Sequence, residues 1–166
     1  KGEPYERCMN AYYLGVTYWL LEDADNAAAS FKAGVLRDAD SEHGAAQYDF
    51  ALLWYAMGQA QRAAQHSDRG AAALARAAEL LPAHVALRNG AASQGNVVVL
   101  IETGSGPRKV AAGPGGAWLK FTDGGRVGRV PRVHVEEQVL GETAPLGDVY
   151  RQAVTRGTKV IDHVNQ

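Results

Sequence analysis

The sequence predicts an α+β protein: antiparallel helical hairpins in the N-terminal half, followed by a small antiparallel β-rich domain with a short C-terminal helix. Before Gly90, alanine is abundant and apolar residues recur at intervals of three and four, the spacing of one helix face. After Gly90, runs of β-branched residues are separated by glycines, as strands are separated by turns. We therefore predict a helical domain over residues 1–90, a linker within 89–96 and a β-rich domain over 96–166.

Composition and charge exclude several classes of protein. The 166 residues are 46% hydrophobic and 21% charged, which is typical of a globular chain. A formal net charge of −1 provides no overall attraction to nucleic acid or to an anionic membrane. The chain has no run of about 18 apolar residues, the length that spans a bilayer. One cysteine, Cys8, excludes an intramolecular disulfide, and its neighbours Met9 and Tyr12 favour a buried thiol.

Helical periodicity predicts four segments in the first half. Pro4 and Glu6 suit the start of the first, and Gly58 suits the end of the third. In the fourth, Gly70 leaves open one kinked helix or two shorter ones. The predicted segments cover residues 4–21, 26–36, 45–57 and 59–81, and a polar break lies at 38–44.

The first two segments carry a repeat pattern. Tyr13-Leu14-Gly15-x-x-Tyr18, followed by Ala27, Phe31 and Gly34, resembles the tetratricopeptide pattern, in which small residues let two helices approach and aromatic residues fill the space between them. A weaker second copy is predicted with Ala51 lying 36 residues after Gly15. Ser67 stands where this copy needs a large residue, so we interpret it as a degenerate, capping repeat. The other members of the second copy are Phe50, Trp54, Gly58 and Ala63.

Alternation and turn residues predict the elements of the second half. The apolar run 96–101 indicates a buried strand, and Pro131 places the strand predicted over 127–135 at a sheet edge. Asp123-Gly-Gly125 is typical of a hairpin, and Asp148 suits the N-cap of a short helix through Arg156. Gly157 would end that helix. Further strands are predicted over 108–112 and 117–121, turns over 103–107 and 113–116, and an apolar segment of open type over 160–164.

Several segments together resemble a family of uncharacterised bacterial tetratricopeptide-type proteins, many of which look like envelope lipoproteins. The matching segments are 1–7 (KGEPYER), 12–19 (YYLGVTYW), 25–27 with Phe31, 97–109 (VVVLIETGSGPRK), 152–157 (QAVTRG), and Asp162 with His163. The resemblance implies a periplasmic or outer-envelope location and a longer precursor that can carry a lipid anchor. It brings no catalytic residues with it.

The glycine-rich segment before Lys109 does not fit a phosphate-binding loop. Pro107 removes a backbone donor, no serine or threonine follows Lys109, and the next segment is β-like where such a loop needs a helix N-terminus. The five histidines show no metal-ligand spacing, and no Gly-x-Ser-x-Gly elbow occurs. We therefore expect no catalytic residues, no cofactor and no metal.

Aromatic and basic side chains are the predicted partner-binding residues. Two repeats cannot cover every aromatic residue of their helices, so some are expected to form an exposed interface anchor. Basic residues follow the glycine-rich turn, and others recur on one face of the strand predicted over 127–135. The latter form either a solvated edge or a contact for an acidic protein or phospholipid. These residues are Tyr13, Trp19, Tyr55, Arg108, Lys109, Arg126 and Arg132.

The sequence thus predicts a non-enzymatic protein–protein interaction module. We expect an accessory or structural subunit of a larger bacterial envelope or membrane-associated complex, which binds another protein or its own copies. No nucleic acid is expected, and membrane attachment would come through a partner or an N-terminal anchor. The alternative is a ligand-binding or cell-wall-related enzymatic role of the β-rich domain. A deep cleft lined by His134, Arg108 or Asp162 would favour that alternative.

Overall fold

A computed structural model describes residues 3–39, 50–88, 97–125 and 131–155. The predicted α+β class is confirmed: four long helices precede two small antiparallel sheets and a short C-terminal helix. In chain order the elements are α1 (Pro4–Leu20), α2 (Ala24–Ala39), α3 (Ala51–Ala63), α4 (Ser67–Leu80), α5 (Val85–Arg88), β1 (Arg108–Ala112), β2 (Trp118–Thr122), β3 (Arg132–Val135), β4 (Gln138–Glu142) and α6 (Val149–Thr155). Within these described ranges, no helix is both long and apolar enough to cross a membrane.

Local sequence explains the first hairpin, α1–α2. The backbone N–H of Glu3 donates to the carboxylate of Glu6 at 2.7 Å, and the Glu3 side chain caps α1 in return. After Leu20 the chain reverses through Glu22, whose φ of 62° is left-handed. The Asp23 N–H then donates to the Tyr18 carbonyl at 2.9 Å, which completes a Schellman-type helix end.

The second hairpin, α3–α4, repeats the first with an offset of 43 residues. Gly15 lies against the Phe31 ring, where a Cβ would come within 2.5 Å of a ring carbon. Gly58, 43 residues after Gly15, lies in the same way against Leu74, 43 residues after Phe31. The turn repeats as well, because Gln65 has a φ of 63° and corresponds to Glu22. The two hairpins are therefore structural copies.

This offset corrects the predicted second copy. The offset of 36 residues is wrong, and so is the role of Ser67, which begins α4 while Leu74 fills the inter-helix space. The two offsets differ by seven residues, close to two helical turns, so both place small residues on the same helix face. Gly58 does not end a helix, since it is buried inside α3. The helix ends instead at Ala63, and residues 64–66 form the turn before α4. Gly70 introduces no kink, because it packs against the backbone of Gly58 from the first turn of α4.

The hairpins share one core. Phe31 is fully buried, and its burial contributes about 3 kcal/mol by area. Gly34 brings α2 close to α3, since a Cβ there would lie 2.8 Å from a Leu53 methyl group. The buried cluster comprises Cys8, Tyr12, Ala27, Ala28, Phe31, Phe50, Leu53, Ala56, Met57, Ala60 and Ala73.

Two separate hairpins form the β-rich part. β1 pairs with β2 as predicted, with Arg108 opposite Thr122. The turn between them needs Gly113, whose φ is 76° and whose Cα is covered by the Trp118 ring. β3 pairs with β4, which the sequence did not predict, since it offers two adjacent apolar residues and then Gly141. The predicted hairpin at Asp123–Gly125 does not pair β2 with β3.

The predicted buried strand over 96–101 is wrong. From Val97 onward the described part of this run belongs to no sheet, because none of the described strands lies beside it. Val97 and Val99 are exposed, at 74% and 58%, while Leu100 packs against the helical core. The remaining predictions for 40–49, 89–96, 126–130 and 156–166 lie outside the described residues.

Polar contacts attach the second half to the helices. Lys109 forms an ion pair with Glu3 and lies 5.4 Å from the centre of the Phe121 ring. In α6, Gln152 donates to the buried carboxylate of Asp38, which also accepts the N–H of Phe50 at 2.8 Å. The predicted cap of α6 is confirmed, since the carboxylate of Asp148 accepts the Arg151 N–H at 3.0 Å. These contacts position the C-terminal segments beside α1 and α3.

Candidate functional site

A groove of about 1110 Å³ lies between the helices and the C-terminal segments. Residues of α1 and the start of α3 form one wall, and the segments 99–107 and 143–150 form the other. This volume is at the upper end of the range seen for ligand sites. The helical wall consists of Tyr5, Met9, Tyr12, Tyr13, Phe50 and Leu52.

Helical spacing places the aromatic side chains of this wall. Tyr5, Met9 and Tyr12 follow one another at intervals of four and three residues, so they share one face of α1. The rings of Tyr12 and Tyr13 lie 5.3 Å apart, edge to face. Burial, the Glu102 carboxylate and then Tyr13 raise the pKa of Tyr12 to about 12. Burial and the hydrogen bond to Glu102 raise the pKa of Tyr13. Both hydroxyls therefore stay protonated at neutral pH.

The opposite wall contains an extended segment, residues 97–104. Its side chains alternate: Val97, Val99 and Ile101 are exposed, whereas Val98 and Leu100 are half-buried. Within the described part of the chain, the backbone N–H and C=O groups of 97–104 form no hydrogen bond. Backbone pairing resumes at Ser105, whose N–H donates to Gly125 at 3.2 Å. This segment has the alternation of a strand and no partner strand.

Glu102 connects the two walls. Its carboxylate accepts the Tyr13 hydroxyl at 2.9 Å, which holds the extended segment against α1. The other charged side chains among the described lining residues are Asp123, which accepts the Gly125 N–H, and Asp148, the cap of α6. Among the described residues that line the groove, every charged side chain is therefore acidic.

The predicted aromatic anchors have different environments. Tyr13 is 48% exposed and lines the groove. Trp19 is half-buried against the core, with its ring 6.0 Å from that of Phe31. Tyr55 is half-buried in α3. Of these three residues, the structure therefore brings Tyr13 alone to the groove.

The predicted basic residues that the structure describes do not line the groove. Arg108 and Arg132 are exposed on β1 and β3. Lys109 forms the ion pair with Glu3, and its side chain is 31% exposed. Arg126 lies outside the described residues. His134 is exposed on β3, and it is absent from the groove, as is Arg108, while Asp162 falls beyond the described chain. Neither of the two described residues named for the alternative function, His134 and Arg108, therefore lines this groove.

A second surface lies on α1, and of its residues sequence reasoning identified Tyr13 but missed the others. On α3, the face that packs against the first hairpin contains Ala56, Met57 and Ala60, all buried. The residues 43 positions earlier, Tyr13, Leu14 and Thr17, are exposed. We call Tyr13, Leu14, Thr17 and Leu21 the open face of α1. The signal was present, because apolar residues cover more than one side of this helix.

Among the described residues, no group of three or more histidine, cysteine or acidic side chains is arranged to hold a metal ion. Comparisons with protein-family models, with curated proteins and with solved structures found no match. The functional conclusion therefore depends on the groove and on the open face of α1.

Proposed function

We propose that this chain is a non-enzymatic protein–protein interaction module that binds its partner through the open face of α1. The supporting observation is a pair of equivalent positions. Met57 is 6% exposed where the first hairpin covers α3, whereas Leu14, its counterpart on α1, is 47% exposed. In a stacked array of hairpins, the open face is the one on which a further hairpin packs.

Leu21 of this face, and its neighbour Leu20, are not needed to build the hairpin. Leu20 and Leu21, which are 80% and 70% exposed at the turn, correspond to Ala63 and Ala64 in the second hairpin. The same turn forms there with alanines, including the corresponding backbone hydrogen bonds. Fully burying one leucine contributes about 1.5–3 kcal/mol, so a partner that covers the exposed parts of Leu14 and Leu21, 47% and 70%, gains about 2–3.5 kcal/mol. The apolar surface thus favours a contact with another molecule.

The resemblance to envelope proteins suggests where this partner is found. We propose an accessory or structural subunit of a larger bacterial envelope or membrane-associated complex, in the periplasm or at the outer envelope. The partner is another protein or a further copy of the chain. Membrane attachment would come through that partner or through an N-terminal anchor.

Site-specific cross-linking in cells tests this proposal. A photo-reactive amino acid at Leu21 is expected to form one discrete adduct, and Leu14→Asp is expected to lower its yield at least tenfold. The matched control uses Leu36, which is 60% exposed on α2 and lies outside the open face. The same probe at Leu36 should form no such adduct, and Leu36→Asp should leave the Leu21 adduct unchanged. Equal adducts from both positions, or no adduct from a chain that sediments as a monomer, would contradict the proposal.

The groove favours a second candidate function, ligand binding between the helices and the β-rich part. Its volume and its tyrosine-rich wall support this part of the alternative. A cell-wall-related enzymatic role stays a prediction that no arrangement of the described residues supports.

A further inference from the structure

The extended segment 97–104 has the properties of an unpaired edge strand. Its side chains alternate between half-buried and exposed from Val97 to Ile101. Its backbone groups form no hydrogen bond within the described part of the chain. Such an edge accepts an added strand, because main-chain hydrogen bonds supply affinity whatever the sequence of the incoming peptide. The side chains of the site then determine which peptide sequence binds.

The groove beside this segment has room for one strand. Residues 99–104 line it, and six extended residues span about 20 Å at about 3.3 Å each. A strand takes up about 4.8 Å across a sheet and about 10 Å between layers, so six residues fill roughly 950 Å³. The groove measures about 1110 Å³. The groove therefore has enough room for one extended peptide of about six residues.

Charge selects the kind of peptide. Among the described residues, Glu102 has one hydrogen-bond partner, the Tyr13 hydroxyl, and no lysine, arginine or histidine within ion-pair distance. A lysine or arginine opposite Glu102 would form an ion pair with its carboxylate. Val99 and Ile101 beside it are exposed, so aliphatic side chains of the bound peptide would pack against them.

We propose that the groove binds an extended peptide segment of another protein, which adds as a strand to residues 99–104 and places a lysine or arginine at Glu102. A second copy of this chain that added its own extended segment would be a poorer occupant by charge, since that segment has no basic residue between Val97 and Gly104. This site shares Tyr13 with the open face of α1, but Leu14 and Leu21, which carry the partner contact proposed above, do not line the groove.

Designed peptides test the proposal directly. The probe is a fluorescein-labelled ten-residue peptide of alternating valine and lysine, titrated into the full chain and followed by fluorescence anisotropy. We expect saturable binding. The corresponding valine–glutamate peptide should bind at least tenfold more weakly. A third peptide is the valine–lysine peptide with methyl groups on alternate backbone nitrogens along one edge. It keeps its charge but cannot form main-chain hydrogen bonds along that edge, so its affinity should also fall at least tenfold.

Two matched variants assign the effect to Glu102. Glu102→Gln keeps an acceptor for the Tyr13 hydroxyl and removes the charge, so valine–lysine binding should weaken about tenfold. Glu22→Gln makes the same change in the α1–α2 turn, where the second hairpin already has Gln65, and should leave binding unchanged. Leu14→Asp should also leave it unchanged, which separates this site from the open face.

Four results would overturn the proposal: neither peptide binds, the glutamate peptide binds equally well, backbone methylation has no effect, or Glu102→Gln behaves like Glu22→Gln. Dimerisation of the chain that the valine–lysine peptide reverses would also overturn it, in favour of a second copy as the occupant.

Discussion

Replacing Gly15 by alanine would place a methyl group in the contact between α1 and α2. An ideal Cβ there lies 2.5–2.7 Å from three carbons of the Phe31 ring. The ring is fully buried, with Tyr12 and Trp19 each 6.0 Å away, centre to centre, so it has little room to move. The two helices must therefore separate or repack around the new methyl group.

The expected loss of stability follows from two opposing effects. Overpacking a close contact costs about 1–3 kcal/mol, and we expect the upper end because the neighbour is a confined ring. Alanine in place of glycine inside a helix returns about 1 kcal/mol. The net loss is about 2 kcal/mol, and at about 2–4 °C per kcal/mol the melting temperature should fall by roughly 4–8 °C.

Urea unfolding followed by circular dichroism at 222 nm measures this change. Ala72→Gly, at an exposed position of α4, calibrates the helix-propensity effect in the same protein. Phe31→Leu removes the ring, so Gly15→Ala should cost at least about 1 kcal/mol less in that background. A Gly15→Ala variant more stable than the parent would refute close packing at this site.

The equivalent change in the second hairpin, and two changes elsewhere, give further predictions. Gly58→Ala should also lower the urea midpoint, since its Cβ would lie 2.8 Å from Leu74; an unchanged midpoint would contradict the offset of 43 residues. Burial, followed by the charge of Asp38, raises the pKa of Cys8 from 9.0 to about 12. The folded chain thus holds the thiol proton more tightly than the unfolded chain does. The protonated thiol therefore makes its full contribution to the free energy of unfolding below pH 9, and this contribution is lost as the pH rises toward 12. Urea midpoints between pH 8 and 11 should fall less steeply in Cys8→Ala than in the parent, and equal slopes would exclude this cause. Asp148→Ala should destabilise α6 by about 1 kcal/mol. Amide exchange in 149–155 should then be faster in the variant than in the parent, while exchange in α1 stays the same. Unchanged exchange in 149–155 would show that the cap is dispensable.

Elements held by neighbouring residues were predictable from the sequence. The cap of α6 at Asp148 and the strand over 108–112 were both found where local residue types indicated. The same holds for the contact of Gly15 with Phe31, because their spacing across a short turn leaves few ways to pack two helices. In each of these cases the residues that interact lie within about one hairpin of each other.

The candidate site was less predictable, because it joins distant parts of the chain. Glu102 and Tyr13 are 89 residues apart in sequence, and no local pattern relates them. Lys109 was predicted to bind a partner from its place after a glycine-rich turn, yet it pairs with Glu3, 106 residues away. Tyr13 was identified as a partner-binding residue because two repeats cannot bury all the aromatic residues of their helices. Its neighbours in the groove were not identified.

The sequence by itself determined the α+β division, the first hairpin and the caps, since periodicity and turn chemistry act within a few residues. Tertiary structure decided the offset of the second hairpin, because a shift of two helical turns keeps the same face and leaves the pattern unchanged. It also decided the fate of the valine-rich run from Val97. A β-branched segment becomes a paired strand only where another strand lies beside it, and here the neighbouring surface is the groove at α1.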